Sequence, residues 1–156
     1  MHLTKTFAVR AVLLSLVVGL LLMPATHAAA SEPCSEVTGE GIFGEGPEKQ
    51  RLKNTLFTDT AAKGQKLIFS WERGKHIFIL REPEGASCVI SKRAATFRGR
   101  GEGTVNGVPE FVASYMIRID TEEVVTLKIK ILEEKSREVV AEFEDEGLEG
   151  STEAIA

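Results

Sequence analysis

The two cysteines of the chain, Cys34 and Cys88, are the residues whose chemistry the sequence defines best. An even pair of cysteines in an oxidising compartment is usually joined as a disulfide. In the chain-entropy description, closing so long a loop stabilises a fold by ~4 kcal/mol. We therefore predict a Cys34–Cys88 disulfide that ties the N-terminal segment to the rest of the fold. Two unrelated buried thiols are the alternative.

Histidine-based catalysis depends on a single residue, because His2 and His27 lie in an N-terminal segment expected to be removed. A Ser-His-Asp arrangement would have to use His76. That residue follows Trp71 closely among apolar residues, where a packed or hydrogen-bonded role is the more common one. The sequence contains no Gly-x-Ser-x-Gly elbow and no phosphate-binding glycine loop. Paired carboxylates for glycoside hydrolysis stay open by residue count, but they need a cleft that short loops do not favour. We predict no catalytic residue and a protein that is not an enzyme.

Metal binding is also poorly supported by the residue types. One histidine and two cysteines expected to be oxidised cannot complete a zinc site without carboxylates. Asp120, Glu122 and Glu123 form one acidic run and residues 142–146 form another. Neither run has the ligand spacing of a calcium loop, and charge runs commonly serve solubility. We predict no metal ion and no cofactor.

A small basic spot is the one local feature that suggests a ligand. Arg98 and Arg100 alternate with glycines, so both project from one face of a strand, and Glu102 follows on that face. Guanidinium groups in this arrangement suit a carboxylate or a sulfate group. Cross-strand ion pairs on a surface strand are the alternative. Trp71 and Tyr115 could stack on sugars, but their pattern places them on the apolar face and favours core packing.

The first thirty residues have the layout of a secretory signal peptide. Lys5 and Arg10 provide the positive start, Ala11–Met23 is almost wholly apolar, Pro24 interrupts it, and Ala28–Ala30 supplies small residues for cleavage after Ala28 or Ala30. The apolar run is shorter than the roughly 20 residues of a spanning helix. The sequence therefore predicts export to the periplasm or the extracellular space, with no stable membrane insertion after cleavage.

The remainder has the size of one domain and an acidic balance. The chain carries 19 Lys and Arg and 23 Asp and Glu, and loss of Lys5 and Arg10 leaves 17 against 23, a net charge of −6. A nucleic acid partner requires a basic surface and is not expected. We divide this part into a short N-terminal segment (31–36), a β-domain (37–145) and an acidic flexible tail (146–156).

Alternation of apolar and polar residues dominates the β-domain, and no helical stripe of useful length occurs. About eight or nine short strands with Gly, Pro and Asn turns indicate an all-β fold, either a small antiparallel β-sandwich or a partly open barrel. Residues 44–54 are predicted to hold at most a helical turn or two, and Pro83-Glu84-Gly85 to form a turn. The predicted strands are residues 37–43, 55–61, 66–73, 75–81, 86–92, 96–104, 111–120, 124–132 and 137–144.

The Asn106-Gly107 pair marks a hairpin whose register decides which side chains face inward. A two-residue type I′ loop would close on Val105 and Val108 and would place arginines and aromatic rings on one face. A three-residue loop with Gly107 as a left-handed bulge pairs Thr104 with Val108. In that register the arginines and the aromatic rings lie on opposite faces. We predict the bulged loop, with the aromatic residues inward and the arginines outward.

The segment 94–120 resembles the post-COAP domain, a secreted bacterial module that follows choice-of-anchor domains. The similarity extends to residues 37–41 and to the 66–81 hairpin. In place of the longer loop and second Asp of that family, this chain has Thr121-Glu122-Glu123. The resemblance implies a surface or secreted accessory module, and the family has no activity to carry over to this chain. The matching residues are Phe97, Gly99, Gly101, Asn106, Gly107, Phe111 and Asp120.

Three functional hypotheses follow from these observations. The first is a secreted or periplasmic non-catalytic binding module, with a surface polysaccharide or another envelope protein as its partner. The second is a small extracellular hydrolase acting on a cell-wall or extracellular polymer, which would need titratable groups converging in a concave site. The third is a structural exported protein that self-associates through an edge strand.

Overall fold

The computed structural model of the chain describes residues 31–44 and 49–156, and of residues 148–152 the backbone alone. The predicted signal peptide lies outside these residues. The described part forms nine strands: β1 (Glu32–Pro33), β2 (Glu36–Phe43), β3 (Gln50–Phe57), β4 (Lys66–Trp71), β5 (His76–Ile90), β6 (Ala94–Val105), β7 (Val108–Asp120), β8 (Val125–Glu133) and β9 (Val139–Ile155).

Antiparallel pairing between successive strands builds the fold. Each strand from β2 to β8 pairs with the next, and β9 returns to pair with β2, so eight strands close into a barrel. Short β1 pairs only with the end of β5. The all-β prediction is confirmed, and of the two predicted architectures the barrel is present, fully closed. Among the described residues, no helix has the length and apolar character needed to cross a membrane.

The N-terminal segment is attached to two strands of the barrel, β5 and β9. Cys34 and Cys88 form the predicted disulfide, and the Cys34 amide donates a hydrogen bond to the Cys88 carbonyl at 3.2 Å. Next along the chain, the Ser35 amide donates to the carbonyl of Ile155 at 2.7 Å. The segment predicted as a short lead-in therefore joins the β5 end of the barrel to its last strand.

The C-terminal residues form part of the barrel and correct the sequence prediction of a flexible tail. β9 continues through residues 146–155 and pairs with β2 from Phe43↔Gly147 to Glu36↔Ile155. Small and acidic residues can extend a strand because backbone groups make the ladder, whatever the side chains are. This pairing closes the barrel.

Two other boundaries differ from the predictions. β3 begins at Gln50, inside the segment expected to be polar and irregular, because its inward positions include Leu52 and the buried Asn54. Pro83-Glu84-Gly85 does not end a strand. It lies within β5, where the register to β6 shifts twice, between Leu80 and Glu82 and between Glu84 and Ser87. Irregularities of this kind bend a strand without interrupting it.

The β6–β7 hairpin has a register that matches neither of the two weighed from the sequence, with Phe97 opposite Ile117 and Gly99 opposite Tyr115. Asn106 and Gly107 have positive φ values of 51° and 82°, and Val105 pairs with Val108, so the loop has two residues and the predicted three-residue loop is wrong. An extra residue in β7 then shifts the register before Phe111 pairs with Gly103, and Glu110 has a φ of 77°. This bulge restores the predicted faces: aromatic rings point inward and arginines outward.

Apolar side chains from all eight barrel strands fill the interior. Three glycines of β6 face this core, and a side-chain carbon at any of them would collide with a neighbour. At Gly99 it would stand 2.6 Å from the Tyr115 hydroxyl, and at Gly103 it would meet the Phe78 ring. The largest fully buried side chains are Phe43, Phe69, Phe78, Phe97, Leu52, Leu56, Leu67, Ile117, Leu127, Ile131 and Val37.

Candidate functional site

The outer surface of β6 to β9, which we call the charged face, carries two rows of side chains, all of them polar or charged except Met116. Side chains directly opposite on antiparallel strands lie close enough to interact, so each row is a chain of neighbours. The first row is Arg98, Met116, Lys128 and Glu144, and the second is Arg100, Ser114, Lys130 and Glu142.

Ion pairs neutralise most of the cations on this face. Lys128 pairs with Glu144, and the Lys130 ammonium lies 3.0 Å from the Glu142 carboxylate. All four of these side chains are between 41% and 61% exposed, so each pair contributes at most about 1 kcal/mol to stability. The pairs therefore hold the lysines in place more than they stabilise the fold.

The two arginines of the predicted basic spot differ in their partners. Both side chains are exposed and point outward, as the sequence predicted. The Arg100 Nε lies 3.1 Å from Glu84 Oε2 across β5, which is the ion-pair alternative. Arg98 has no carboxylate within 4.0 Å among the residues that the structure describes. It is opposed by Ser87 on β5 and by Met116 on β7.

A depression of about 420 Å³ lies on the charged face, with Arg98 among its lining residues. The short side chain of Ser114 stands among longer ones, which leaves this space. Met116 supplies an apolar wall, and the two lysine–glutamate pairs border the far side. An unpaired guanidinium, a hydroxyl and an apolar surface together suit a ligand that carries a carboxylate or sulfate on an otherwise uncharged skeleton.

His76 has a packing role at the β4–β5 turn. Its ring stacks on Trp71 with centroids 5.2 Å apart, and its Nε2 lies 3.4 Å from a Glu72 carboxylate oxygen. Trp71 also stacks on Phe69 at 5.8 Å. The indole of Trp71 thus already stacks on two near-parallel rings. It is therefore poorly placed to receive a sugar ring.

Tyr115 is buried in the core, as the sequence pattern favoured, and stacks on Phe97 with centroids 6.4 Å apart. Burial raises the pKa of its phenol to about 12. Its hydroxyl has no hydrogen-bond partner within the described part of the chain. A buried and unpaired hydroxyl costs free energy, so this group does not contribute to the stability of the core.

The acidic runs have structural partners. Asp120 Oδ1 accepts hydrogen bonds from the amides of Glu122 and Val124, both at 2.9 Å, and so shapes the β7–β8 turn. Glu142 and Glu144 belong to the ion pairs of the charged face. Among the side chains that the structure describes, there is no cluster of three or more His, Cys, Asp or Glu residues suited to a metal ion.

Sequence reasoning missed most of the charged face. Lys128 and Lys130 alternate along β8 as the arginines do along β6, and Ser114 and Met116 alternate between them on β7. The periodicity of each strand was visible, but the register that aligns them depends on the bulge at Glu110. Without that bulge the arginines could not be aligned with the lysines.

Comparisons of the chain with protein-family models, with curated proteins and with solved structures find no match. The resemblance to the post-COAP domain stays a prediction that rests on the residues quoted for it. Function is therefore inferred from the geometry of the barrel and of its outer faces.

Proposed function

We propose that the chain is an exported, non-catalytic binding module that holds a carboxylate- or sulfate-bearing surface polysaccharide on the charged face. The observation that carries this proposal is the position of Arg98. It is the one cation of the charged face without an ion pair among the described residues, and it lines the depression beside Ser114. A guanidinium left unpaired beside a small polar group is available for a two-pronged contact with an oxyanion.

Export is part of the proposal and rests on the N-terminal layout. A disulfide is compatible with an oxidising compartment, where such bonds persist. A hydrolase with a Ser-His-Asp arrangement would have to use His76, whose ring and nitrogen are engaged with Trp71 and Glu72 of the same hairpin. This arrangement favours binding over hydrolysis.

The test is binding of a soluble uronic acid oligomer and of a sulfated oligosaccharide, measured by titration calorimetry against a neutral glucan control. Arg98→Ala is expected to weaken binding of the charged probes at least about tenfold, since charged hydrogen bonds contribute ~1.5–3 kcal/mol. Arg98→Lys should restore only part of the affinity, because an ammonium cannot make the planar two-pronged contact.

Arg100→Ala is the matched control, since Arg100 is engaged with Glu84 on the same face. It should retain most of the binding. Equal binding of the neutral glucan, or unchanged affinity in Arg98→Ala, would refute the proposal. Binding only of acidic proteins from the envelope would replace the polysaccharide with a protein partner.

A further inference from the structure

Three isoleucines form an apolar patch on the outer surface of β4 and β5, away from the charged face. We call Ile68, Ile77 and Ile79 the isoleucine patch. Ile68 lies directly opposite Ile79, and both Ile77 and Ile79 are nearly 40% exposed, at 38% and 39%. A depression of about 480 Å³ lies beside Ile42 and Ile68. Outward isoleucines grouped over a depression are unusual on a surface that contacts only water.

A second apolar patch lies across the barrel on β7 to β9. We call Val112, Leu132, Val139 and Val140 the valine patch. Val112 opposes Leu132, which in turn opposes Val139. A register shift at this point leaves both Val139 and Val140 exposed, at 45% and 41%. The two patches lie on different sides of the closed barrel, so they cannot contact each other within one molecule.

The rims of the two patches carry opposite charge. Beside the isoleucine patch, Arg51 is exposed and has no ion pair within the described part of the chain, and Lys53 pairs with Glu40 at 3.2 Å. Beside the valine patch lie Glu102, Glu134 and Glu138, which outnumber the two cations there, Arg137 and Lys135, and Lys135 is paired with Glu110.

The negative rim is crowded. The charge of Glu134 raises the pKa of Glu102 above its ordinary value, with smaller contributions from partial desolvation and from Glu82 and Glu84. Glu82 lies directly opposite Glu102 on the neighbouring strand. A cation brought to this rim would therefore relieve repulsion between carboxylates.

We propose that the isoleucine patch of one copy of this chain binds the valine patch of a second copy. Apolar surfaces of similar kind meet, and Arg51 approaches the acidic rim. Because the two surfaces differ, the contact is head-to-tail and leaves one patch free at each end, so assembly continues into rings or filaments. The route differs from edge-strand pairing, since every barrel strand already has two neighbours. It is independent of ligand binding at Arg98.

The test is analytical ultracentrifugation of the chain without residues 1–30 over a range of protein concentrations. The wild-type chain is expected to form species that grow with concentration beyond a dimer. Ile79→Glu breaks the isoleucine patch and Val140→Glu breaks the valine patch. Each should weaken association at least about tenfold, because a charge buried without a partner is costly.

Mixing the two variants gives the decisive result. Each retains one intact patch, so an equimolar mixture should form one-to-one dimers that grow no further. Val89→Glu, at a valine 43% exposed outside both patches, is the matched control and should associate as the wild type does. Melting temperatures establish that every variant is folded.

A wild-type chain that stays monomeric at all concentrations would overturn the proposal. So would a mixture of the two variants that stays monomeric while the wild type assembles, because each variant retains one of the two patches that the proposed contact needs. Neither outcome bears on the calorimetry of Arg98→Ala, so the two proposals fail separately.

Discussion

Along β6, neighbouring residues meet very different surroundings. Gly99 and Gly103 face inward, where one added carbon would collide with a ring of the core. Arg98 and Arg100, each one position away, face solvent on the charged face. The interior of this wall therefore determines stability, while its exterior is free to determine what the protein binds. Substitutions on the two sides should separate these properties.

The largest effect on the free energy of unfolding is expected from removal of the Cys34–Cys88 disulfide, which lies on the inner side of the wall. Cys88 lies opposite Phe97 of β6 and is joined to Cys34, 54 residues away. Replacing both cysteines by alanine should lower the free energy of unfolding by about 2–5 kcal/mol without changing the strand content. Denaturant unfolding and circular dichroism measure the two quantities. Mass measurement after alkylation without reductant supplies the control, and two free thiols in the native protein would contradict the disulfide.

A single carbon added to the glycine row is the next largest change. Gly103→Ala should lower the free energy of unfolding by about 1–3 kcal/mol, because the Phe78 ring and the Ile79 carbonyl occupy the space. Gly147→Ala is the matched control, since its nearest neighbour would be 3.3 Å away at the edge of Phe43. Urea midpoints compare the two variants. If they are equally stable, the interior of β6 is less tightly packed than described.

Removing one buried oxygen should stabilise the protein. Tyr115→Phe deletes the hydroxyl that has no partner in the described structure, and the free energy of unfolding should rise by about 1 kcal/mol. Thermal unfolding of the variant measures this gain. An unchanged or lowered melting temperature would indicate that the hydroxyl is satisfied by water.

The same residue makes stability depend on alkaline pH. The pKa of the phenol is about 12 in the folded protein against an ordinary value of 10, so the unfolded chain ionises first. The ionised phenol is the form that burial disfavours, so this penalty is absent below pH 10, and the free energy of unfolding falls as the pH rises from 10 through 12. Tyr115 is the only tyrosine, so phenolate absorbance reports this group alone. Tyr115→Phe should remove the corresponding part of the alkaline loss.

The smallest effect on stability belongs to the outer side. Arg98→Ala should change the free energy of unfolding by less than about 0.5 kcal/mol, because the side chain is exposed and unpaired in the described structure. Arg100→Ala should cost slightly more, up to about 1 kcal/mol, through loss of the Glu84 ion pair. Thermal melts at low and high salt separate them, since only the ion pair is screened. A large loss in Arg98→Ala would assign that residue to the fold.

Much of the wall could be predicted because period-two patterning is a property of each strand alone. Phe97 and Tyr115 were placed inward and Arg98 outward from that pattern. The prediction of a three-residue loop at Asn106 was wrong. The register shift that places the aromatic side chains inward comes from a bulge at Glu110, and no feature of the local sequence signals that bulge. Asn54 concealed the start of β3, since its buried amide donates to the Val37 carbonyl where an apolar residue would be expected.

Closure of the barrel was beyond prediction for another reason. Residues 146–155 carry little apolar patterning, and they join the sheet because the backbone of β2 offers a partner. The charged face depends on this same long-range assembly, since its lysines and glutamates meet only when β8 and β9 are in register. Local sequence could identify the arginines but not their neighbours.

The pairing of β2 with β9 also governs how the molecule can fold. Ser35, which directly precedes β2, and Ile155 of β9 are 120 residues apart in the chain. Joining such distant segments carries a large entropic cost before the contacts between them are made. Before β9 arrives, β2 and β8 are the unpaired edges of an open sheet, which invite pairing with other chains. Folding is therefore expected to be slow and to end with the last strand, and chains interrupted before Val139 would expose both edges.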